Sequence, residues 1–252
     1  GYFGTYDMAG NVREWCWNET GGNRFILGGA WNDPAYIFSF ASNLDPFDRS
    51  PENGFRCIKS VTTSPDLSKL NAALDPIAPR DYRTEKPVSD ETFAMLKRLY
   101  GYDRTALNAE TVSTDSVLSK YWIRTTVSID AAYGNERMAI HLFLPKIGKP
   151  PFQTIILFPG ANAFYRPSSE RIVYPVYKSM YERRDGYTLR TSTPNADREH
   201  FIFWRKDLGR TIDYLQTRAD VDTGKLCYYG SSLGALVSPI FLALEDRIDL
   251  SI

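Results

Sequence analysis

The chain has 252 residues, 43% of them hydrophobic, and its thirty basic and thirty acidic side chains cancel. This suffices for one large domain or two small ones with an ordinary core. Balanced charge without a Lys/Arg block excludes the electrostatic footprint of a nucleic-acid or acidic-membrane partner. The longest apolar stretch, Ala235 to Leu244, is about half a bilayer span, and no basic-then-apolar signal segment opens the chain. Cys16, Cys57 and Cys227 are odd in number and lack CxxC spacing, which argues against a disulfide framework or a thiolate zinc site. Three reduced, mostly buried thiols are expected, and a cytoplasmic setting is slightly favoured. The chain begins inside Gly1-Tyr-Phe-Gly-Thr-Tyr-Asp7 and stops in Asp249-Leu-Ser-Ile252, the start of a new strand. The expectation is an excerpt from a longer protein with further domains.

Residues 1–58 are rich in Gly, Trp, Phe, Asn and Asp with little periodicity, which predicts an irregular, turn-dominated segment packed by aromatics. Trp15, Trp17, Trp31 and Tyr36 read as its core, with a ligand cleft as the alternative. Taken alone, Ala9-Gly10-Asn11 is a turn and Glu14 a surface or ion-paired carboxylate. Residues 59–88 shift to Ser, Thr, Pro, Asp and Lys, and Pro65, Pro76, Pro79 and Pro87 prevent a long helix, so this is the predicted linker.

Three ordered motifs stand in the first segment: Tyr6-Asp-Met-Ala-Gly-Asn-Val-Arg-Glu-Trp-Cys-Trp17, Arg24-Phe-Ile-Leu-Gly-Gly-Ala-Trp31 and Asn53-Gly-Phe-Arg-Cys57. Together they resemble the C-terminal part of the formylglycine-generating enzyme (sulfatase-modifying factor) family, which implies an irregular α+β, C-type-lectin-like fold. The resemblance also implies a calcium site at Asp7, Gly10, Val12 and Glu14, an oxygen set suited to a hard cation. Family catalysis implies copper-dependent oxidation by two cysteines shortly after the Gly-Gly-aromatic motif. Counted from Gly28-Gly29-Ala30-Trp31, those positions hold Asp33 and Phe38, neither a soft ligand for Cu(I). No copper is expected, and the segment reads as oxidase-inactive.

The second domain is expected over 89–252. Ser89 offers an N-cap to a short helix carrying Phe93, Leu96, Leu99 and Tyr100. Tyr121–Ile129 and Arg137–Pro145 alternate as a hairpin around Tyr133-Gly134-Asn135. Thr154–Phe158 is a continuous apolar run, as in a central strand, and ends in Pro159-Gly-Ala-Asn162. A helix is predicted from roughly Ser168 to Tyr181, a weaker strand over Gly186–Ser192 and a helix over Phe201–Gln216. Leu226–Tyr229 is the next strand, and Ala235–Leu244 the helix beyond it. Alternating strands and helices predict an α/β fold, its mostly parallel sheet covered on both faces.

Between those last two elements stands Gly230-Ser-Ser-Leu-Gly234, which fits the G-x-S-x-G pattern of a nucleophile elbow with Ser232 at its centre. Element order and motif together resemble the α/β-hydrolase fold, nearest to acetyl xylan esterases and dienelactone hydrolases, in a form incomplete at its C-terminus. The resemblance implies attack by Ser232 on a small-molecule or carbohydrate ester. The oxyanion would be held by the backbone N–H of Leu233 and one from the loop at Gly160 and Ala161. In that fold the acid and histidine follow the serine, yet no histidine follows Ser232. His141 reads as a packed strand residue, His200 as a solvated helix terminus, and Glu245, Asp246 and Asp249 as solvated carboxylates. A regulatory or binding protein with both modules degenerate is the rival reading; a formylglycine-making oxidase is disfavoured by Asp33 and Phe38.

Overall fold

The computed structural model describes residues 4–34, 37–38, 40–59, 72–73, 81–161, 172–189 and 192–252. The chain divides into two compact units, Gly1–Lys86 and Pro87–Ile252.

The first unit contains a four-stranded sheet, more regular than the turn-dominated composition suggests. Strands β1 (Arg13–Thr20) and β2 (Asn23–Leu27) form a hairpin; β3 (Ser42–Leu44) pairs antiparallel with β2, and β4 (Asn53–Gly54) parallel with β1. The hairpin closes through Gly21 and Gly22 at φ 57° and 86°, the left-handed pair that a two-residue turn needs. Inverted polarity hides the sheet from a pattern reading. Trp17 on β1 is 72% exposed while Thr20 is buried, so alternation does not track hydrophobicity. Trp31 is 68% exposed as well, which removes it and Trp17 from the expected aromatic core; Tyr36 lies outside the described residues. The buried apolar side chains of this unit include Ile26 and Ala30.

The second unit is a seven-stranded sheet. Its strands are β5 (Glu110–Asp115), β6 (Trp122–Asp130), β7 (Arg137–Pro145), β8 (Phe152–Phe158), β9 (Ile172–Pro175), β10 (Val221–Gly230) and β11 (Leu250–Ser251), in the order β11-β10-β8-β9-β7-β6-β5. The expected hairpin is β6–β7, turning through Gly134 and Asn135 at positive φ. Strands β8 and β10 are adjacent, parallel and in register over Thr154–Phe158 and Leu226–Gly230. β11 continues the parallel set beside β10. Helix α1 (Asp90–Leu99) starts at Ser89, whose Oγ accepts from Thr92 N–H, and it buries none of its residues.

The predicted helix near Ser168–Tyr181 is absent from its described residues. Ile172–Pro175 is strand β9, antiparallel to β7 and parallel to β8, and Tyr181–Arg183 is a single 3-10 turn; residues 162–171 lie outside the described set. Ile172, Val173 and Tyr174 are β-formers, and Pro175 cannot donate to a helix. The strand expected over 186–192 is also absent from its described residues, where Asp185 Oδ1 accepts from Tyr187 N–H and Ser192 N–H bonds to Thr188 O.

Helix α2 (Pro194–Leu215) starts earlier than predicted, with Thr193 as N-cap and Pro194 in the first turn. It packs Trp204, Leu208 and Ile212 into one core with Ile156, Phe158, Leu226 and Tyr228 of the sheet. Helix α3 (Leu233–Leu242) adds Val237 and Phe241 to that same core. A smaller cluster of Trp122, Phe143, Ile172 and Tyr174, with Ile155 and Leu157 against it, includes no helical residue. Among the described residues, helices therefore cover one face of the sheet, not both as expected.

Candidate active site

The passage from β10 into α3 is tightly packed. Ser232 sits at φ 52° and ψ −101°, a conformation that L-residues avoid and that costs on the order of 1–3 kcal/mol. Two glycines make room for it. A Cβ on Gly230 would lie 2.7 Å from Gly234 C, and one on Gly234 would lie 2.3 Å from Phe158 O. No other side chain fits either position.

Hydrogen bonds fix the turn. Ser231 N–H donates to Phe158 O at 3.0 Å, Gly234 N–H to Ser231 O at 2.9 Å, and Leu236 N–H to Ser232 O at 3.0 Å. From the core, the fully buried Tyr228 hydroxyl donates to Gly234 O at 2.7 Å. Pro239 lies inside α3 and has no N–H for Ala235 O, which accepts from Ser238 Oγ at 2.8 Å instead.

The structure brings Gly160 to this turn. A Cβ built on Gly160 would stand 3.5 Å from Ser232 Cβ, so the loop after β8 and the turn after β10 face each other at the C-terminal edge of the parallel strands. Ala161 follows at the end of the described stretch, and Asn162 lies outside it. Ser232 is exposed, the Leu233 side chain is buried, and Leu233 N–H is among the amides that a helix start leaves without an intrahelical acceptor.

Other candidate groups sit in different surroundings from those expected. His141, on β7, is packed as predicted: Nδ1 meets Thr126 Oγ1 at 2.9 Å and Nε2 meets Glu182 Oε1 at 3.2 Å. Burial holds its pKa below the usual value, against the pull of Glu182. His200 is no solvated terminus; it lies within α2, stacked on Tyr187 and bonded to Ser179 and Ala196. Glu245 is no solvated carboxylate either. It is 4% exposed, bound by Arg247 Nε at 2.6 Å and Nη2 at 2.7 Å, with Arg205 Nη2 at 3.1 Å. Asp249 Oδ2 accepts from Leu226 N–H at 3.0 Å.

A buried network behind the site carries no sequence motif. Asp207 on α2 accepts from Arg183 Nη1 at 2.9 Å, Lys178 N–H at 2.8 Å and the Tyr133 hydroxyl at 2.9 Å, while Arg183 Nη2 donates to Glu136 at 2.8 Å. Burial pushes the Asp207 carboxyl up, to about 6, and Arg183 pulls against it. The available signal was phase: Asp207 follows Trp204 by three residues and precedes Thr211 by four, on the inward stripe of α2.

In the first unit, Arg56 pairs with Glu14, one of the four residues of the expected calcium set. Its Nε lies 3.1 Å from Glu14 Oε1 and 3.2 Å from Oε2, and Nη2 donates to Glu14 Oε1 and to Asp7 O, both at 2.9 Å. Nη1 donates to Tyr6 O at 3.2 Å. Both carboxylate oxygens of Glu14 are thus already paired with a cation, and an ion at the expected site would have to share or displace Arg56. Gly10 N–H bonds to Gly28 O, and Val12 packs against Gly54. Asp33 forms a two-pronged pair with Arg13, at 2.8 and 2.6 Å, and Phe38 packs on Gly29. The Arg13 hydrogen bond, with help from Ala30 N–H, holds the Asp33 carboxyl below its usual range. All three cysteines are free, but Cys57 is exposed, contrary to the expectation of buried thiols.

Residues 2–61 match the family model of the sulfatase-modifying factor enzyme 1-like domain. A Paenibacillus barcinonensis protein named chaperone protein LppX is 38% identical over 66 residues, covering 23% of this chain and 24% of its own. Acetyl xylan esterase 1 from Thermoanaerobacterium sp. JW/SL YS485 superposes with a TM-score of 0.53 at 15% identity, over 66% of this chain and 58% of its own. Acetyl xylan esterase from Paenibacillus sp. R4 gives 0.50 at 16%, over 67% and 59%. The second unit therefore has the α/β-hydrolase fold, joined to a sulfatase-modifying-factor-like segment. The chain spans less than two-thirds of the length of each of these relatives.

Proposed function

We propose that the longer protein to which the second unit belongs is a serine hydrolase of carboxylic esters, with Ser232 as nucleophile. The observation that carries this reading is Ser232 itself, strained at φ 52° between two glycines and facing Gly160. Ser232 Oγ attacks the ester carbonyl carbon, and the oxygen that gains charge is met by Leu233 N–H and by an amide of the Gly160–Ala161 loop. The hydroxyl proton must pass to a base, which later returns it to the leaving alcohol. His141 and His200 precede Ser232 in the chain and are engaged elsewhere, so the base is sought in sequence after Ile252. Likeness to the two acetyl xylan esterases supports a small-molecule or carbohydrate ester as substrate. For the first unit, Asp33 in an ion pair and Phe38 in an apolar contact support a module without copper-dependent oxidase chemistry.

Turnover of a chromogenic acetate ester tests the reading. The longer protein hydrolyses it, Ser232→Ala abolishes the rate, Ser231→Ala retains it, and residues 1–252 alone lack enzymatic turnover. Activity surviving in Ser232→Ala overturns the assignment of the nucleophile. Robust turnover by residues 1–252, titratable with a fluorophosphonate, overturns the placement of the base.

A further inference from the structure

Three polar side chains that ester hydrolysis does not use meet where the chain leaves β9. Ser179 Oγ lies 2.8 Å from Asp185 Oδ2 and 2.8 Å from His200 Nε2, and His200 Nδ1 lies 2.7 Å from Ala196 O. A carbonyl oxygen only accepts, so Nδ1 carries a hydrogen. A carboxylate also only accepts, so the single hydroxyl proton of Ser179 goes to Asp185. The remaining contact is a hydrogen bond only if Nε2 carries a hydrogen too. The count closes with His200 as imidazolium. With His200 neutral, one of the three contacts sets two lone pairs against each other.

The extra proton could instead sit on Asp185, but its surroundings oppose this. Burial pushes that carboxyl up, while the Ser179 hydroxyl, Tyr187 N–H and the charges of Lys178 and His200 outweigh it and hold it below the usual range. The charged groups around the imidazole are Asp185 and Lys178 from the segment after β9 and Asp197 from its own helix. Lys178 is paired with Glu136, and Asp197 accepts from the hydroxyls of Tyr187 and Ser192. The Tyr187 ring lies flat on His200, centroids 3.4 Å apart at 6°, which places a cation over a ring face.

We propose that Ser179, Asp185 and His200 form a proton-operated latch: with His200 protonated, Ser179 bridges it to Asp185 and holds residues 179–187 to the first turns of α2, and loss of the proton releases them. The segment is set under tension, since Ser179 and Tyr181 stand at φ 64° and 48°, which only surrounding contacts can maintain. The latch also adjoins the candidate site. Trp204 Nε1 donates to Lys178 O at 2.7 Å, its ring packs on His200 at 5.9 Å and on Phe158 at 5.5 Å, and Phe158 O anchors Ser231 N–H.

Hydrogen–deuterium exchange of residues 1–252, corrected for intrinsic rates, tests the latch at about pH 5 and about pH 8. Amides 179–189 should lose protection by about tenfold or more between the two, the worth of one charge-assisted hydrogen bond. His200→Gln and Asp185→Asn should each make exchange of this segment independent of pH while leaving β8 and β10 unchanged. Ser179→Ala, which spares both ring nitrogens, should do the same by removing the bridge. His141→Gln should keep the wild-type response. Equal protection at both pH values in the wild type, or a response that persists without His200 or vanishes without His141, overturns the proposal.

Discussion

In the second unit, Ser232 is held by two strands and a helix whose side chains share one apolar core, Phe158, Tyr228, Leu233 and Phe241 among them. The polar residues of the first unit are held differently: Glu14 and Asp33 are fixed by Arg56 and Arg13, over a sheet whose buried apolar residues include Ile26 and Ala30. The difference is one of dielectric. A dry core makes each polar contact costly to break, whereas contacts that water reaches are screened and exchangeable. A strained turn requires the first kind of support.

The largest effect that would test this contrast is at Asp207, whose side chain is fully buried with Arg183 at 12% exposure. Asp207→Ala leaves Arg183 and Tyr133 without their shared acceptor and should cost about 3–5 kcal/mol in chemical unfolding. Replacing Arg183 and Asp207 together by apolar residues should recover much of that loss. A cost below about 1 kcal/mol for Asp207→Ala would mean that the network is wet, and the contrast with the first unit would fail.

Next comes Gly234→Ala, which drives a methyl group into Phe158 O. A loss of about 2–4 kcal/mol is expected, from overpacking against backbone that cannot yield. The same change at Gly22 meets no atom within 4 Å, and only its positive φ resists it. Unfolding midpoints of the two variants should therefore separate clearly; equal shifts would mean that the turn around Ser232 relaxes as easily as a surface hairpin.

These two sites differ in how readily the sequence discloses them. Gly230, Ser232 and Gly234 are legible because a strained turn leaves few options: glycine where Cβ cannot fit, between an apolar run and an apolar helix. The β6–β7 hairpin and the parallel pair β8–β10 are legible from alternation and from continuous apolar runs. Residues 172–175 mislead, because four residues are too few to separate the period of a strand from that of a helix, and pairing with both β7 and β8 decides the matter. His200 and Glu245 mislead for another reason. His200 meets Ser179 from 21 positions away, and Glu245 meets Arg205 from 40 away besides its near neighbour Arg247; only the fold makes the distant contacts. In the first unit the three motifs disclose the family resemblance but not the sheet, since β1 turns Trp17 outward.

A smaller effect concerns acid. Burial raises the Glu245 carboxyl, but hydrogen bonds from Arg247 and the charges of Arg205 and Arg247 outweigh it, so the folded pKa lies below the usual glutamate value. The unfolded chain then binds the proton more tightly. Stability from this group is present above about pH 4.3, the unfolded value, and is lost as pH falls through the folded pKa. Glu245→Gln should destabilise the second unit at neutral pH and flatten the acid limb of its stability curve. An unaltered acid limb would assign that limb to other carboxylates, such as Asp185 or Asp130.

The smallest effect is the most direct test of how the first unit is held. A calcium ion needs six to eight oxygens and a surplus of negative charge. Here Arg56 supplies a positive charge to Glu14 and to the backbone carbonyls of Tyr6 and Asp7, so one expected ligand of the metal is already paired with a guanidinium. A divalent ion placed beside it would face repulsion from Arg56 and would have to draw Glu14 away. The expected outcome is a melting temperature of the first unit that does not change between excess chelator and millimolar calcium. Arg56→Gln, by contrast, should lower that temperature and expose Glu14. If that variant then gains stability from added calcium while the wild type does not, the arginine occupies the place of the ion. If the wild type itself is stabilised by calcium at one ion per chain, Glu14 exchanges partners readily, and contacts in this unit are as labile as its exposure suggests.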